Sequence, residues 1–302
     1  MWTVLVTGGA GFIGSHSVDR LLSLGHQVRV LDNFSSGHAH NLAPHPRLTV
    51  IEGDVRDPRA VSAAMEPCSH VLHLAAQVFV PESIANPVAS ASINIVGYLH
   101  VLDAARRLGV ARVVYASSAA VYGAASSEPL TEASPTGPES PYGLEKLVND
   151  HYAALFGQLY GQSLCGMRYF NVYGPRQDPR SPYSGVISKF LQRAMAGEGL
   201  TVFGDGLQTR DFVSVYDVAR ANAAALFAQT TGVVNVATGR SATLLELIAA
   251  LGEVLGRPLP VVHAPGRSGE VRHSCVRPRR LQEDLGVDDL MDLGQGLRAL
   301  VG

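Results

Sequence analysis

Tyr142 and Lys146 stand four residues apart in a stretch of helical period, so both side chains fall on one face. A free tyrosine has a pKa of about 10, too high for a base at neutral pH. Lowering it to about 7 takes roughly 4 kcal/mol. An ammonium at about 4 Å, in an effective dielectric of about 20, supplies about that much. The pair could therefore take a proton from a hydroxyl. Upstream, Tyr115-Ala116-Ser117-Ser118-Ala119-Ala120-Val121-Tyr122-Gly123 reads as a strand end running into a turn. That places the Ser118 hydroxyl where it could bond the same reacting oxygen. The Y-x-x-x-K spacing also arises by chance on solvated helix faces, so the pair gains weight only from its company.

The first fourteen residues are that company. Val4-Leu5-Val6 suits a buried parallel strand; Thr7-Gly8-Gly9-Ala10-Gly11-Phe12-Ile13-Gly14 makes a tight turn; and Val18, Leu21 and Leu22 open an amphipathic helix. This strand–turn–helix context is what a dinucleotide fingerprint requires. The spacing fits both G-x-G-x-x-G (Gly9, Gly11, Gly14) and G-x-x-G-x-x-G (Gly8, Gly11, Gly14). The helix N-terminus offers unpaired N–H groups to phosphates. Asp32 closes the next apolar run, Val28-Arg29-Val30-Leu31. A carboxylate there bonds the ribose hydroxyls and repels a 2′-phosphate, which selects NAD.

The elements that must position these groups alternate. Apolar runs at 28–31, 48–51, 71–74 and 112–116 are separated by helical patterns, the signature of βαβ units. The fold expected is α/β, a Rossmann-like doubly wound parallel sheet with a smaller C-terminal substrate-binding lobe. Residues 1–170 form the dinucleotide-binding domain, 171–302 the second lobe, and 211–240 return to the first, so the two interleave. Ser83 to Leu108 reads as one long helix, closed by Arg106, Arg107 and Gly109. Residues 123–141 read as a loop, and Ser140-Pro141 as an N-cap and first helical position.

Bulk properties exclude several classes. The chain has 302 residues, 46% hydrophobic and 17% charged, with a net charge of −2, an ordinary globular balance without the basicity of a nucleic-acid or membrane-surface binder. Its histidines show no ligand spacing, so no metal is assigned. Three scattered cysteines (Cys68, Cys165, Cys275) fit unpaired thiols and a cytoplasmic location. The first strand leaves no room for a signal peptide. No apolar run is expected to reach the length of a membrane span.

Taken together, the glycine turn, Ser118, Tyr142 and Lys146 resemble the extended short-chain dehydrogenase/reductases. The resemblance covers essentially the whole chain. Leu31-Asp32-Asn33-Phe34-Ser35-Ser36-Gly37, Gly53-Asp54-Val55, His73-Leu74-Ala75-Ala76, Arg168-Tyr169-Phe170-Asn171, Gly204-Asp205-Gly206 and Arg210-Asp211-Phe212 look like nucleotide-sugar epimerases and dehydratases. It implies that Gly8, Gly11, Phe12, Ile13, Gly14, Asn33, Ser36 and Gly37 hold NAD, with Asp32 on the adenosine ribose. Asp54 and Val55 would flank adenine; Leu74, Ala75, Ala76, Asn94, Tyr142, Lys146 and Tyr169 complete the cofactor site. Ser118, Asn171, Val186, Phe203, Arg210, Arg267, Glu270 and Ser274 would bind a UDP-sugar, Ser274 beside C2 of the hexose. Relatives pair the helices near 83–108 and 142–157 into a dimer. Ile93, Ile95, Leu99, Leu102, Leu144, Leu147 and Leu155 carry apolar surface there, so a homodimer is expected.

Dehydratases and decarboxylases of this family carry an acidic residue just before the turn that follows the serine. Here that position reads Ala119-Ala120. The resemblance therefore implies C4 epimerisation of a UDP-hexose, in the manner of UDP-hexose 4-epimerases and most nearly the UDP-N-acetylglucosamine type. UDP-glucuronate 4-epimerisation and a non-catalytic nucleotide-sugar-binding regulator are the alternatives. Glu145, where relatives often have a small hydroxyl residue, projects about 100° around the helix from Lys146 and is expected to have little effect, a damped activation of Tyr142 being the alternative.

Overall fold

A computed structural model of the chain describes residues 1–124, 129–178, 185–266, 272 and 274–301. Strand β1 (Thr3–Thr7) leads through the glycine turn into α1 (Phe12–Ser23), and β2 (Gln27–Asp32), β3 (Leu48–Glu52), α2 (Pro58–Met65) and β4 (His70–His73) follow. Next come α3 (Val80–Ala85), α4 (Pro87–Ala91), a π-helical turn (Ser92–Gly97), α5 (Tyr98–Arg107) and β5 (Arg112–Ser118). Helix α6 (Pro141–Tyr160) precedes β6 (Leu164–Tyr169) and β7 (Asn171–Tyr173). The remainder is α7 (Val186–Met195), β8 (Leu200–Phe203), β9 (Thr209–Ser214), α8 (Val215–Phe227), β10 (Gly232–Val236), β11 (Ser241–Thr243), α9 (Leu244–Val254), β12 (Val261–Ala264), α10 (Arg279–Glu283) and α11 (Leu293–Val301).

Seven strands form one parallel sheet in the order β10-β6-β5-β4-β1-β2-β3. Alternation along β1 sends Val4 and Val6 into the cluster built with α1 and α8, and Leu5 into the cluster with α2, α5 and α6. Both faces are thus covered, as a parallel sheet requires. The strand order reverses between β1 and β4, so a crevice opens beyond their carboxyl ends. The expected doubly wound α/β class is the one observed.

The smaller lobe has a three-stranded sheet, β11-β9-β7, and a pair, β12-β8. Ile187, Phe190, Phe212, Leu247, Leu251 and Leu297 pack its core. Strand β9 belongs to this sheet, and the chain rejoins the large sheet through α8, packed on α1, and β10.

Several local expectations are corrected. The stretch from Ser83 to Leu108 is not one helix. Pro81 and Pro87 start α3 and α4, and Asn86 between them is driven out of helical conformation (φ −132°, ψ 65°), as a residue before proline is. The basic last turn and the Gly109 stop (φ +67°) are as expected. Pro87–Arg107 does have the length, 21 residues, and the apolar composition to cross a membrane by those measures alone. Its Tyr98, Val101, Leu102, Ala104 and Ala105 are nevertheless core residues. Leu102 therefore faces inward rather than toward a partner. Helix α6 starts where expected, with Ser140 Oγ accepting from Gly143 N–H at 3.1 Å, and runs past 157 to Tyr160.

Candidate active site

The glycine turn fits a dinucleotide for steric reasons visible in its packing. Gly8 has φ +69°, and a Cβ there would meet Ala75 N at 2.7 Å. A Cβ on Gly14 would sit 2.1 Å from the Gly8 carbonyl oxygen, and one on Gly37 2.9 Å from the Ala10 carbonyl carbon. Three backbone segments thus close to a contact only glycine allows. Gly11 caps α1 with extended backbone and no side-chain bond, so the first-turn N–H groups of Phe12, Ile13 and Gly14 point at the crevice. Asp32 is held from both sides, Oδ2 by Ala10 N–H and Oδ1 by Phe34 N–H, each at 2.9 Å. Its remaining lone pairs are available to a ribose diol. Ser36 follows in the same loop after β2, and Asn33 Nδ2 donates to Asp54 at 2.8 Å. The Arg56 guanidinium beside Asp54 holds that carboxyl well below the usual range. Val55 packs against Gly97 in the core. Leu74, Ala75 and Ala76 follow β4 at the crevice.

Ser118 ends β5, and its Oγ accepts from Ala120 N–H at 3.2 Å. Tyr142, in the first turn of α6, donates its N–H to Ser83 Oγ at 3.1 Å, and its ring faces the Ser118 side chain. One turn on, Lys146 Nζ donates to the Ala116 carbonyl at 3.0 Å and lies 5.8 Å from the centre of the Tyr142 ring. The two hydroxyls and the ammonium are therefore brought together as expected. The expected acidity of Tyr142 is corrected. Burial raises its pKa, the Ser118 side chain opposes that, and the Glu145 charge adds to it. Burial lowers Lys146 to about 8, against the pull of Glu145 and Asp150.

On the substrate side, Asn171 Nδ2 donates to the Asp211 carbonyl at 2.9 Å, linking β7 to β9. Arg210 on β9 donates to the Thr209 carbonyl at 2.8 Å. Val186 opens α7 and Phe203 closes β8. Ser274 is held beside β9, its N–H donating to Thr209 Oγ1 at 3.2 Å and its carbonyl accepting from Ser241 at 2.6 Å. Arg267 and Glu270 lie outside the described residues. Two cofactor candidates have occupied side chains: Tyr169 donates its hydroxyl to Asn222 at 2.7 Å, and Asn94 bridges Gln77 and Glu145.

Glu145 takes a place that its sequence position alone did not specify. It does project away from Lys146, but into the protein, where it is 4% exposed and accepts from Ser90 and Asn94. The signal available was a matched spacing: Ser90 and Asn94 lie four apart, as do Glu145 and Asn149, polar pairs on two apolar helical stretches.

Residues 4–237 match the family described as "NAD dependent epimerase/dehydratase family". The chain is 38% identical over 308 residues to a UDP-glucose 4-epimerase of Mycolicibacterium smegmatis, covering 98% of this chain and 96% of the relative. A UDP-N-acetylglucosamine 4-epimerase of Methanobrevibacter ruminantium, solved with UDP-N-acetylmuramic acid, superposes with a TM-score of 0.94 at 37% identity, over 99% of this chain and 97% of that one. The Thermus thermophilus UDP-glucose 4-epimerase, solved with NAD, does so with a TM-score of 0.90 at 39% identity, again over 99% and 97%.

Proposed function

The chain belongs to the NAD dependent epimerase/dehydratase family, and from that premise we propose that it interconverts UDP-N-acetylglucosamine and UDP-N-acetylgalactosamine by C4 epimerisation. The observation that carries the reading is the Ser118–Tyr142 hydroxyl pair beside Lys146, at the carboxyl end of β5 and the crevice edge. NAD, when bound, supplies a hydride acceptor and then a hydride donor at the sugar C4. The glycine turn, Asp32 and the loops at 33–37 and 74–76 would hold it. Tyr142 takes the proton of the 4-hydroxyl and later returns one to the 4-oxygen, while Ser118 orients that oxygen. Lys146, as a cation, favours the tyrosinate. Asn171, Arg210 and Arg267 would keep the UDP fixed while the hexose turns over.

The reaction is epimerisation rather than elimination because Ala119 and Ala120 follow Ser118. Neither alanine supplies the proton-transfer group that elimination demands at the neighbouring carbon. Purified protein incubated with UDP-N-acetylglucosamine, UDP-glucose and UDP-glucuronate, without added NAD, should yield C4 epimers, the acetylated sugar reacting best. No epimer from any of the three would end the proposal.

The preference for an acetylated sugar rests on Ser274. A serine leaves space beside C2 that a tyrosine would fill, and overpacking costs about 1–3 kcal/mol. Ser274→Tyr should therefore reduce turnover of UDP-N-acetylglucosamine by about ten- to a hundredfold relative to UDP-glucose. An unchanged ratio would remove Ser274 from the sugar pocket.

A homodimer is part of the same reading. Val88 and Leu144 are 83% and 53% exposed, and Ile84, Val96, Leu155 and Leu159 extend this apolar surface along α3, α4, the π-helical turn and α6. Light scattering at micromolar concentration should give twice the chain mass; the mass of one chain would count against it.

A further inference from the structure

A buried carboxylate is costly unless it is paired or hydrogen-bonded. Glu145 lies beside Lys146, and one of its oxygens, Oε2, accepts from Ser90 Oγ at 2.8 Å and from Asn94 Nδ2 at 2.6 Å. Ser90, on α4, and Asn94, in the π-helical turn, are themselves buried. Asn94 continues the chain of bonds. Its Oδ1 accepts from Gln77 N–H at 2.9 Å, and its Nδ2 donates to the Gln77 carbonyl at 2.8 Å. Its own carbonyl accepts from Asn149 Nδ2 of α6 at 3.0 Å. The network therefore joins four pieces: the loop after β4, α4, the π-helical turn, and the helix that carries Tyr142 and Lys146. Asp150, the other buried acid of this helix, pairs with Arg168 at 3.0 Å. Among the described residues Glu145 has no such pair.

We propose that Glu145 is a positioning residue for the reaction: it locks α6 to the π-helical turn and sets the charge balance around Tyr142 and Lys146. This rests on the reading of those two as the catalytic pair. The Glu145 charge raises the pKa of both, adding to burial at Tyr142 and opposing it at Lys146. Of the other titratable groups around them only Asp150 acts in the same sense, and on Lys146 alone, whereas Glu145 acts on both. His73 on β4 is held neutral, its pKa pushed down to about 3 by burial. Burial drives Tyr98 on α5 and Tyr115 on β5 well above the ordinary tyrosine value. Asp150 faces Arg168 of β6, and Ser90 and Asn94 carry no charge.

Glu145→Gln keeps an acceptor oxygen for Ser90 and Asn94 and removes the charge. Loss of a negative charge lowers both pKa values, so both limbs of the kcat pH profile should move to lower pH, by about one unit. Glu145→Ala also breaks the ties and should reduce kcat about tenfold while KM for the UDP-sugar holds. Ultraviolet titration of the Tyr142 phenolate, read as the difference from Tyr142→Phe in each background, should show the same downward shift without any substrate. If the wild-type protein turns over no UDP-hexose, the catalytic reading fails, and the titration still decides for Glu145. An unmoved profile and titration in Glu145→Gln overturn the proposal, whether or not Glu145→Ala folds. So does a Glu145→Ala protein that loses only melting temperature.

Discussion

Tyr142→Phe is expected to lower UDP-hexose turnover by at least about a hundredfold while leaving UDP-sugar affinity close to that of the wild type. The ring would stay where it is, since its position is set by the Ser140 cap, the bond from its N–H to Ser83, and the nearby Lys146. Only the hydroxyl is removed. The Ser118 hydroxyl is far less acidic than a phenol and cannot supply the deprotonated oxygen that accepts the proton. Burial holds the tyrosine protonated in the protein as it stands, so the wild-type profile should have an acid limb that rises as Tyr142 ionises. That limb should be missing from the residual activity of the variant. Steady-state kinetics against pH, together with equilibrium dialysis of UDP, separates the two effects. Near-wild-type turnover in Tyr142→Phe would remove the tyrosine from the chemistry and leave Ser118 and Lys146 without a shared purpose.

What was legible in the sequence was local and periodic. The strand ending at Thr7, the carboxylate at Asp32 and the cap at Ser140 each follow from residue types within one turn or one strand. The doubly wound sheet followed because alternating strands and helices admit few arrangements. What was missed is tertiary. The matched spacing of Ser90/Asn94 and Glu145/Asn149 does not say that the two pairs meet: Ser90 and Asn94 lie 55 and 51 residues before Glu145 and reach it only once the helices pack. The break at Asn86 was legible, since Pro87 forbids a helical conformation before it, but the apolar run around it argued for continuity. The acidity of Tyr142 was misjudged for another reason: spacing places two side chains on one face but says nothing of how deeply they are buried. Desolvation, not the neighbouring ammonium, is the larger influence.

Cofactor retention should be as sensitive as turnover. Wild-type protein is expected to carry NAD through purification, released on denaturation, because an epimerase regenerates its cofactor in every cycle and has no need to exchange it. Gly14→Val should lose it. The added side chain would begin 2.1 Å from the Gly8 carbonyl oxygen and 2.8 Å from Gly9 Cα, both backbone atoms of the turn. Neither can rotate aside, so the start of α1 must draw back from the turn and carry its first N–H groups with it. Overpacking of about 1–3 kcal/mol corresponds to roughly a ten- to hundredfold loss of affinity if it falls on the bound state. Gly137→Ala is the control, because a Cβ there meets nothing within 4 Å and its φ is unexceptional. The nucleotide in the denatured supernatant, measured enzymatically, should fall in Gly14→Val and not in Gly137→Ala, with both proteins still showing a cooperative melt. NADP in the wild-type supernatant would contradict the role of Asp32, whose carboxylate repels a 2′-phosphate. NAD retained in Gly14→Val would mean that the cradle is looser than its contacts allow.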